Sequence, residues 1–470
     1  MIGALCAAAA CSKKATDSPD AMTAADAASI ADAAESPDAK PDATIDPPDA
    51  APSCTYGATP DGAAHLLASY KLAPTSMKVV DPLLKDADLD AAMAAGAQTV
   101  TAPGIGSGLE YVTGSGCPGS FVMITDRGPN GDHTPDGKFF PMPAFTPTIV
   151  RVHLVADASA PAIALDGVMP LLDRDGAPTT GLPNTADDDV AYTATSGGAV
   201  IPDNQNGLDT EDIRKLPGGD LLICDEHSPS VAVIDGATGK VKIRYIPTSK
   251  ALPDAKTEVS AILPGGLSNR RVNKGFEGLA LSSDGKTAYA TLQAPMGDDG
   301  NAKYKTSRII RVVRLDVTDP MAAKVTGDFL VKLDAAATFP SGTKQKDVLV
   351  SSATWVAADR LLLDERAKGE TRLVTVDLAA AADIRGKQDE DTLVWEDVNT
   401  DLGALGVTPA APAQVFSTKD LPAVAFPDKI EGLAIIDAST VALANDNDFG
   451  IADINDASRV WVIQLAAALH

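Results

Sequence analysis

One pattern recurs five times along this chain and limits what it can fold into. Gly275-Phe276-Glu277-Gly278-Leu279-Ala280-Leu281 runs through the turn Ser283-Asp284-Gly285-Lys286 into Ala288-Tyr289-Ala290-Thr291-Leu292-Gln293. Lys429-Ile430-Glu431-Gly432-Leu433-Ala434-Ile435 leads in the same way to Val441-Ala442-Leu443-Ala444-Asn445-Asp446-Asn447-Asp448. Asp209-Thr210-Glu211-Asp212-Ile213 passes through Pro217-Gly218-Gly219-Asp220 to Leu221-Leu222-Ile223-Cys224-Asp225-Glu226, and Gly108-Leu109-Glu110-Tyr111 is followed by Phe121-Val122-Met123-Ile124-Thr125-Asp126-Arg127. A weaker copy joins Ala353-Thr354-Trp355 to Leu361-Leu362-Leu363-Asp364-Glu365. Two short β-rich runs around a Gly, Asp or Pro turn make a hairpin. Such hairpins, recurring roughly every 65 to 100 residues, are expected of a β-propeller, because a single blade cannot cover its own faces and must stack on its neighbours. The expectation is therefore an all-β propeller of six or seven blades, its long period reflecting long loops on one face. A pair of stacked sandwiches is the competing architecture. Asp86–Ala97 and Leu378–Ile384 are the helical candidates.

The repeat also suggests where chemistry would sit. The innermost strands of a propeller line its axis, so residues at one repeat position converge there. The first strands carry Glu110, Glu211, Glu277 and Glu431. The second strands end in Asp126, in Asp225-Glu226, in Gln293, in Asp364-Glu365, and in Asn445-Asp446-Asn447-Asp448. Turn chemistry explains isolated Asp and Asn, but it is a poor account of Glu repeatedly placed before Gly or Asp in an apolar strand. So many converging carboxylates must be protonated, paired with Arg or Lys, or bound to cations. An oxygen-rich set of this kind suits Ca²⁺, with Mg²⁺ or Mn²⁺ as the other occupants. On this reading Glu110, Asp225, Glu226, Glu365, Asn445, Asp446 and Asp448 are metal ligands. Arg127, Arg271 and Lys274 flank the acids, either to bind phosphate oxygens or to pair with the carboxylates.

The blocks from Asp209 to Ser230, from Asn273 to Ala280 and from Lys429 to Gly450, with Asp126-Arg127 after Ser107-Gly108-Leu109, resemble the signature of the phytase-like family, "esterase-like activity of phytase". The resemblance covers roughly residues 100 to 465. It implies a secreted or periplasmic propeller whose acids act in phosphoester or ester hydrolysis. Carried onto this chain, it makes Glu211, Glu277, Glu431, Asp126 and Arg127 the catalytic candidates, with Arg271, Lys274 and His227 against the substrate. The sequence departs from the pattern where His227 stands in place of an aromatic residue and where no acid lies near Ser352.

Other chemistries are disfavoured. There is no G-x-S-x-G elbow, and His227 beside Ser228 is read as a rim residue rather than part of a triad. Asp132-His133-Thr134-Pro135-Asp136-Gly137 opens like an EF-hand loop, but its twelfth position is Pro143, so it reads as an acidic turn. A formal charge of −25 argues against nucleic acid and anionic membrane surfaces. The expected partner is a small-molecule ester or phosphoester, phosphoester before carboxylic ester, bound by a monomer. A non-catalytic, Ca²⁺-stabilised binding or scaffold propeller is the alternative, and a lactonase-like propeller a further one.

Residues 1–11 form a signal or lipobox-like segment, with Cys11 the expected lipidation site. Residues 12–53, built of Ala, Asp, Pro, Ser, Thr and Lys, read as a disordered tether, and 54–470 as the propeller domain. This predicts an exported protein, either a cell-surface or outer-membrane lipoprotein touching the membrane only through its anchor, or a periplasmic or secreted one. In such a compartment Cys54 and Cys117 are candidates for a disulfide. Cys224, inside an apolar run, reads as a small buried hydrophobe.

Overall fold

The computed structural model describes residues 59–94, 102–156, 160–451 and 456–469. Among them the hairpins grow into five units of four antiparallel strands, the second extended by a fifth strand, Glu258–Leu263, parallel to Val241–Pro247. Unit one contains Gly108–Tyr111, Ser120–Ile124, Thr148–Val155 and Ala162–Pro170; unit two, Thr210–Lys215, Leu221–Asp225, Ser230–Ile234 and Val241–Pro247. Unit three contains Phe276–Leu281, Thr287–Leu292, Ile309–Asp316 and Lys324–Lys332; unit four, Leu349–Ala357, Arg360–Ala367, Glu370–Asp377 and Ala413–Ser417. Unit five joins the two ends of the domain: Ile430–Asp437, Thr440–Asn445 and Arg459–Gln464 are completed by His65–Leu72, which pairs antiparallel with Arg459–Gln464. The first-listed strand of each unit packs against that of the next, and the fifth against the first, which closes the ring.

The fold is thus the expected β-propeller, with five blades among the described residues rather than six or seven. Length that would have made further blades is spent on excursions. Residues 126–147 and 171–209 together build a small sheet from Gly131–Asp132, Lys138–Phe139, Ala191–Tyr192 and Val200–Ile201 around Phe140 and Leu182. The sequence that opens like an EF-hand is a hairpin of this sheet, with Asp132 paired to Lys138. A further excursion separates the last two strands of blade four. Asp86–Ala94 is helical, and Leu378–Ala380 is a single 3₁₀ turn. No helix among the described residues is long and apolar enough to cross a membrane.

Each blade alternates its side chains between two neighbours. The interior is accordingly five separate apolar cores, one per blade interface: Leu109 and Phe121 against Ala434 and Val460, for example, or Leu222 and Val233 against Leu279 and Ala290. Cys224 lies in one of these, fully buried.

The glycines of the Glu-Gly repeat serve the axis. A Cβ at Gly278 would stand 2.8 Å from the backbone nitrogen of Ala353, and one at Gly432 would stand 2.9 Å from Leu109. Blade two has Asp212 at this position and Arg214 two residues on, and the pair is bound to every other blade. Asp212 accepts from the Leu279 amide (3.0 Å) and the Ser352 hydroxyl (2.9 Å). Arg214 donates to Asp212 (2.8 Å) and to the carbonyls of Leu109, Ala353 and Leu433. This fully buried ion pair ties the five blades together on the axis.

Candidate functional site

The start of the inner strands makes the site, because the strands do not run straight there. In blades two, three, four and five the ladder slips between Thr210 and Asp212, Phe276 and Gly278, Val350 and Ser352, and Ile430 and Gly432. The extra residue of each bulge is Glu211, Glu277, Ser351 and Glu431. Bulges re-aim a side chain out of the alternating pattern, and these three glutamates meet at the axis. Ser107 precedes Gly108 at the matching place in blade one. On the second strands, the residue two beyond the partner of Gly108, Asp212, Gly278, Ser352 or Gly432 makes a second ring: Asp126, Glu226, Gln293, Arg366 and Asp446.

Together with Asp209, Lys274, Lys429 and Asp448 these acids and bases line a cavity of about 230 Å³ at one mouth of the channel. Asn130 and Lys138, from the small sheet, line it too. Oxygens of Asp209, Glu211 and Glu226 lie within 4.8 Å of one another, as do those of Glu211, Glu277 and Glu431. Oxygens around one Ca²⁺, at 2.3–2.6 Å from the ion, are at most about 5 Å apart, so both triads fit a cation. Glu226 Oε1 and Glu277 Oε2 are buried and accept no hydrogen bond, as is expected of oxygens meant for an ion, whereas Asp209 Oδ2 faces Arg127 Nη1 at 3.3 Å. Burial and mutual repulsion push these carboxyls upward: Glu277 to about 8, Asp446 to about 7, with Glu211, Glu226 and Asp126 well above the usual range.

Four cationic groups are interleaved with the acids. Arg127 Nη1 is ion-paired with Asp209 Oδ2 at 3.3 Å and lies 3.8 Å from Asp189 Oδ2, while Nη2 donates to Asn130 (3.2 Å). Lys274 is 3.9 Å from Glu226. Arg366 donates to Glu431 (2.7 Å) and to Ser351, filling the place where blade four lacks an acid. Lys429 bridges Asp446 (3.2 Å) and Asp448. Asn273, in the left-handed region at φ 53°, places a buried, unpartnered Oδ1 beside Lys274.

Several residues singled out by sequence stand elsewhere. Glu110 is in register with Ala280 and Ala434, not with Glu277 and Glu431, so it opens onto the opposite mouth, 3.7 Å from Arg214, and burial pushes it up to about 7. Asp225, Glu365 and Asn445 are the strand-end residues that alternation turns away from the cavity. Asp225 accepts from Ser230 and Arg244, Glu365 from the Asp334 amide (2.6 Å), and Asn445 from the Arg459 amide (2.7 Å). Arg271 donates to the carbonyls of Gly297 and Tyr304 in an adjacent cleft of about 850 Å³. His227 is not at the rim. It is 1% exposed, with Nε2 3.2 Å from the Gly181 carbonyl oxygen, and Ser228 donates to Asn184. No Ser–His pair forms there.

Arg366, Lys429 and Asp209 were given no role by the sequence reading. Arg366 was findable, since it occupies the repeat position that holds an acid or an amide in the other blades. Cys117 is disulfide-bonded; Cys54, its expected partner, and Cys11 lie outside the described residues.

Among solved structures, the chain is similar to Myxococcus xanthus glutaminyl cyclase (10% identity, 86% of this chain and 96% of that one, TM-score 0.34). It is also similar to the β-propeller domain of Myceliophteria thermophila Cps50 (10% identity, 73% and 67% covered, TM-score 0.25). A secreted, uncharacterized protein of Arthroderma benhamiae is 28% identical over 192 residues, 35% of this chain; the match spans 36% of that relative's length. The family model described as phytase-like, "esterase-like activity of phytase", matches residues 102–449, about three quarters of the sequence, and the chain belongs to that family.

Proposed function

We propose that this protein is a metal-dependent hydrolase of phosphate esters. The observation that carries the reading is that buried carboxylate oxygens of Glu226 and Glu277, which accept no hydrogen bond, share one small cavity with the cationic side chains of Arg127 and Lys274. The oxygens fit a cation, and a phosphate on a bound metal would lie within reach of the two cationic groups. Asp209, Glu211, Glu226, Glu277 and Glu431 would hold the ion, Ca²⁺ by the hardness and number of the oxygens. When bound, the metal supplies a Lewis acid for the phosphoryl oxygens and lowers the pKa of a water. Arg127 Nη1 and Lys274 Nζ bind the remaining phosphate oxygens and meet the charge that develops on them. Burial, with Asp446 nearby, raises the affinity of Asp126 for a proton, so Asp126 keeps a proton to give to the leaving oxygen.

The disulfide at Cys117 and the secreted relative support a site of action outside the cytoplasm, with lipidation at Cys11 and a monomeric state as part of the same proposal. The test is hydrolysis of a phosphomonoester, a phosphodiester and a carboxylic ester by the Ca²⁺-supplied protein. Turnover of a phosphate ester, lost in Glu277→Gln at unchanged melting temperature, is expected. Silence across all three would replace the hydrolase with a Ca²⁺-stabilised binding propeller.

A further inference from the structure

Given that the cavity binds divalent cations, the geometry points to two of them held at once, with the carboxylate of Glu211 as the bridge. The two oxygen triads are separate except for Glu211, which belongs to both. Each triad has a buried oxygen of its own that accepts no hydrogen bond: Glu226 Oε1 (residue 3% exposed), with Lys274 Nζ 3.9 Å away, in one and Glu277 Oε2 (2% exposed) in the other. A single ion between the triads would leave one of these oxygens unpartnered. Two ions, one per triad, satisfy both.

Charge leads to the same number by an independent route. Asp126, Asp209, Glu211, Glu226, Glu277, Glu431, Asp446 and Asp448 face Arg127, Lys274, Arg366 and Lys429 in the cavity, while Lys138 is paired outward with Asp132. Fully ionised, the cavity thus carries four uncompensated negative charges, and three with the proton on Asp126. One divalent ion still leaves it negative in either state, which would repel an anionic ester; a second brings it to neutral or slightly positive and lets a phosphate enter. Paired metals about 3.5–4 Å apart are a recurrent device for clamping a phosphoryl group, and a bridging carboxylate spans that distance.

This inference rests on the metal-binding part of the proposed function and is tested by occupancy, not by turnover. The chelator-stripped full chain is dialysed against Ca²⁺ and the bound ion counted. Glu226→Gln and Glu431→Gln are each expected to bind one ion fewer than wild type, and Glu211→Gln two fewer. A Glu211→Gln chain that loses one ion or none overturns the bridge. Should that variant not fold, Mn²⁺ in the unaltered protein decides: at two equivalents the electron paramagnetic resonance spectrum should show exchange-coupled ions, and the spectrum of isolated ions would refute the proposal. Two coupled ions without hydrolysis of any ester would leave this site standing and remove the hydrolase. Hydrolysis with one ion per chain would do the reverse.

Discussion

Replacing Arg214 by Met would take the charge out of the axial pair while keeping most of the volume. Asp212 would then be a buried carboxylate facing no cation, and the carbonyls of Leu109, Ala353 and Leu433 would each lose a donor. Removing one partner of a buried pair costs about 3–5 kcal/mol. With an unfolding entropy of about 2.1 cal/mol/K per residue over roughly 400 folded residues, that is a fall in Tm of about 4–6 °C. The carboxyl of Asp212 already stands at about 6 through burial, and Arg214 is what opposes a further rise. A carboxyl raised in the folded state favours folding while protonated, so stability falls as pH climbs from about 4 past 6. The deficit of Arg214→Met should be smallest near pH 5 and largest above pH 7, as read by scanning calorimetry. The repeat suggests the rescue: blades three and five carry Gly and Ala at these two positions, as Gly278 with Ala280 and Gly432 with Ala434. The double variant Asp212→Gly with Arg214→Ala removes the stranded charge and should recover more than half of the loss. A double variant as unstable as Arg214→Met, or a single variant with wild-type Tm at pH 8, would show that the pair is not what ties the blades.

Other outcomes follow from the same geometry. Gly278→Ala puts a methyl 2.8 Å from the blade-four backbone and should cost about 1–3 kcal/mol in denaturant unfolding, whereas alanine at the exposed Gly218, which has open space around it, should cost far less. Arg366→Met removes the partner of Glu431 and Ser351 and is expected to lower kcat/KM for a phosphate ester by about 10²–10³. The metal-free protein should lose stability as pH rises from about 4.5 to 8, because Glu277, at about 8 when folded, binds its proton more tightly there than in the unfolded chain. Saturating Ca²⁺ should flatten that dependence, and a metal-free Tm that rises over the same range would contradict it.

The ring and its axial acids were legible because both depend on repetition in register. Glu277-Gly278 and Glu431-Gly432 pair a residue that must face the cavity with one that must have no Cβ at the axis, and only an inner propeller strand asks for both. What escaped was whatever repetition does not encode. Glu110 looked like a member of the series until strand pairing showed that Ser107 holds the place, three residues earlier. The doublets Asp225-Glu226 and Asp364-Glu365 look alike but are offset by one residue in register, so that the inward positions fall on Glu226 and on Arg366, the residue after the second doublet. Arg366 stands where the other blades place acids or an amide, and a search for repeated acids passes over it. The blade count was overestimated because excursions such as 171–209 lengthen a repeat without adding a blade.

The central claim is that this acidic cavity works on phosphate esters only when loaded with a divalent cation. The most direct measurement is turnover of a phosphomonoester by one preparation of the full chain, before chelation, after it, and after Ca²⁺ is restored. The account predicts activity that disappears and returns with the ion while the metal-free protein remains folded. Turnover undiminished in chelator, by protein confirmed to be free of metal, would contradict it.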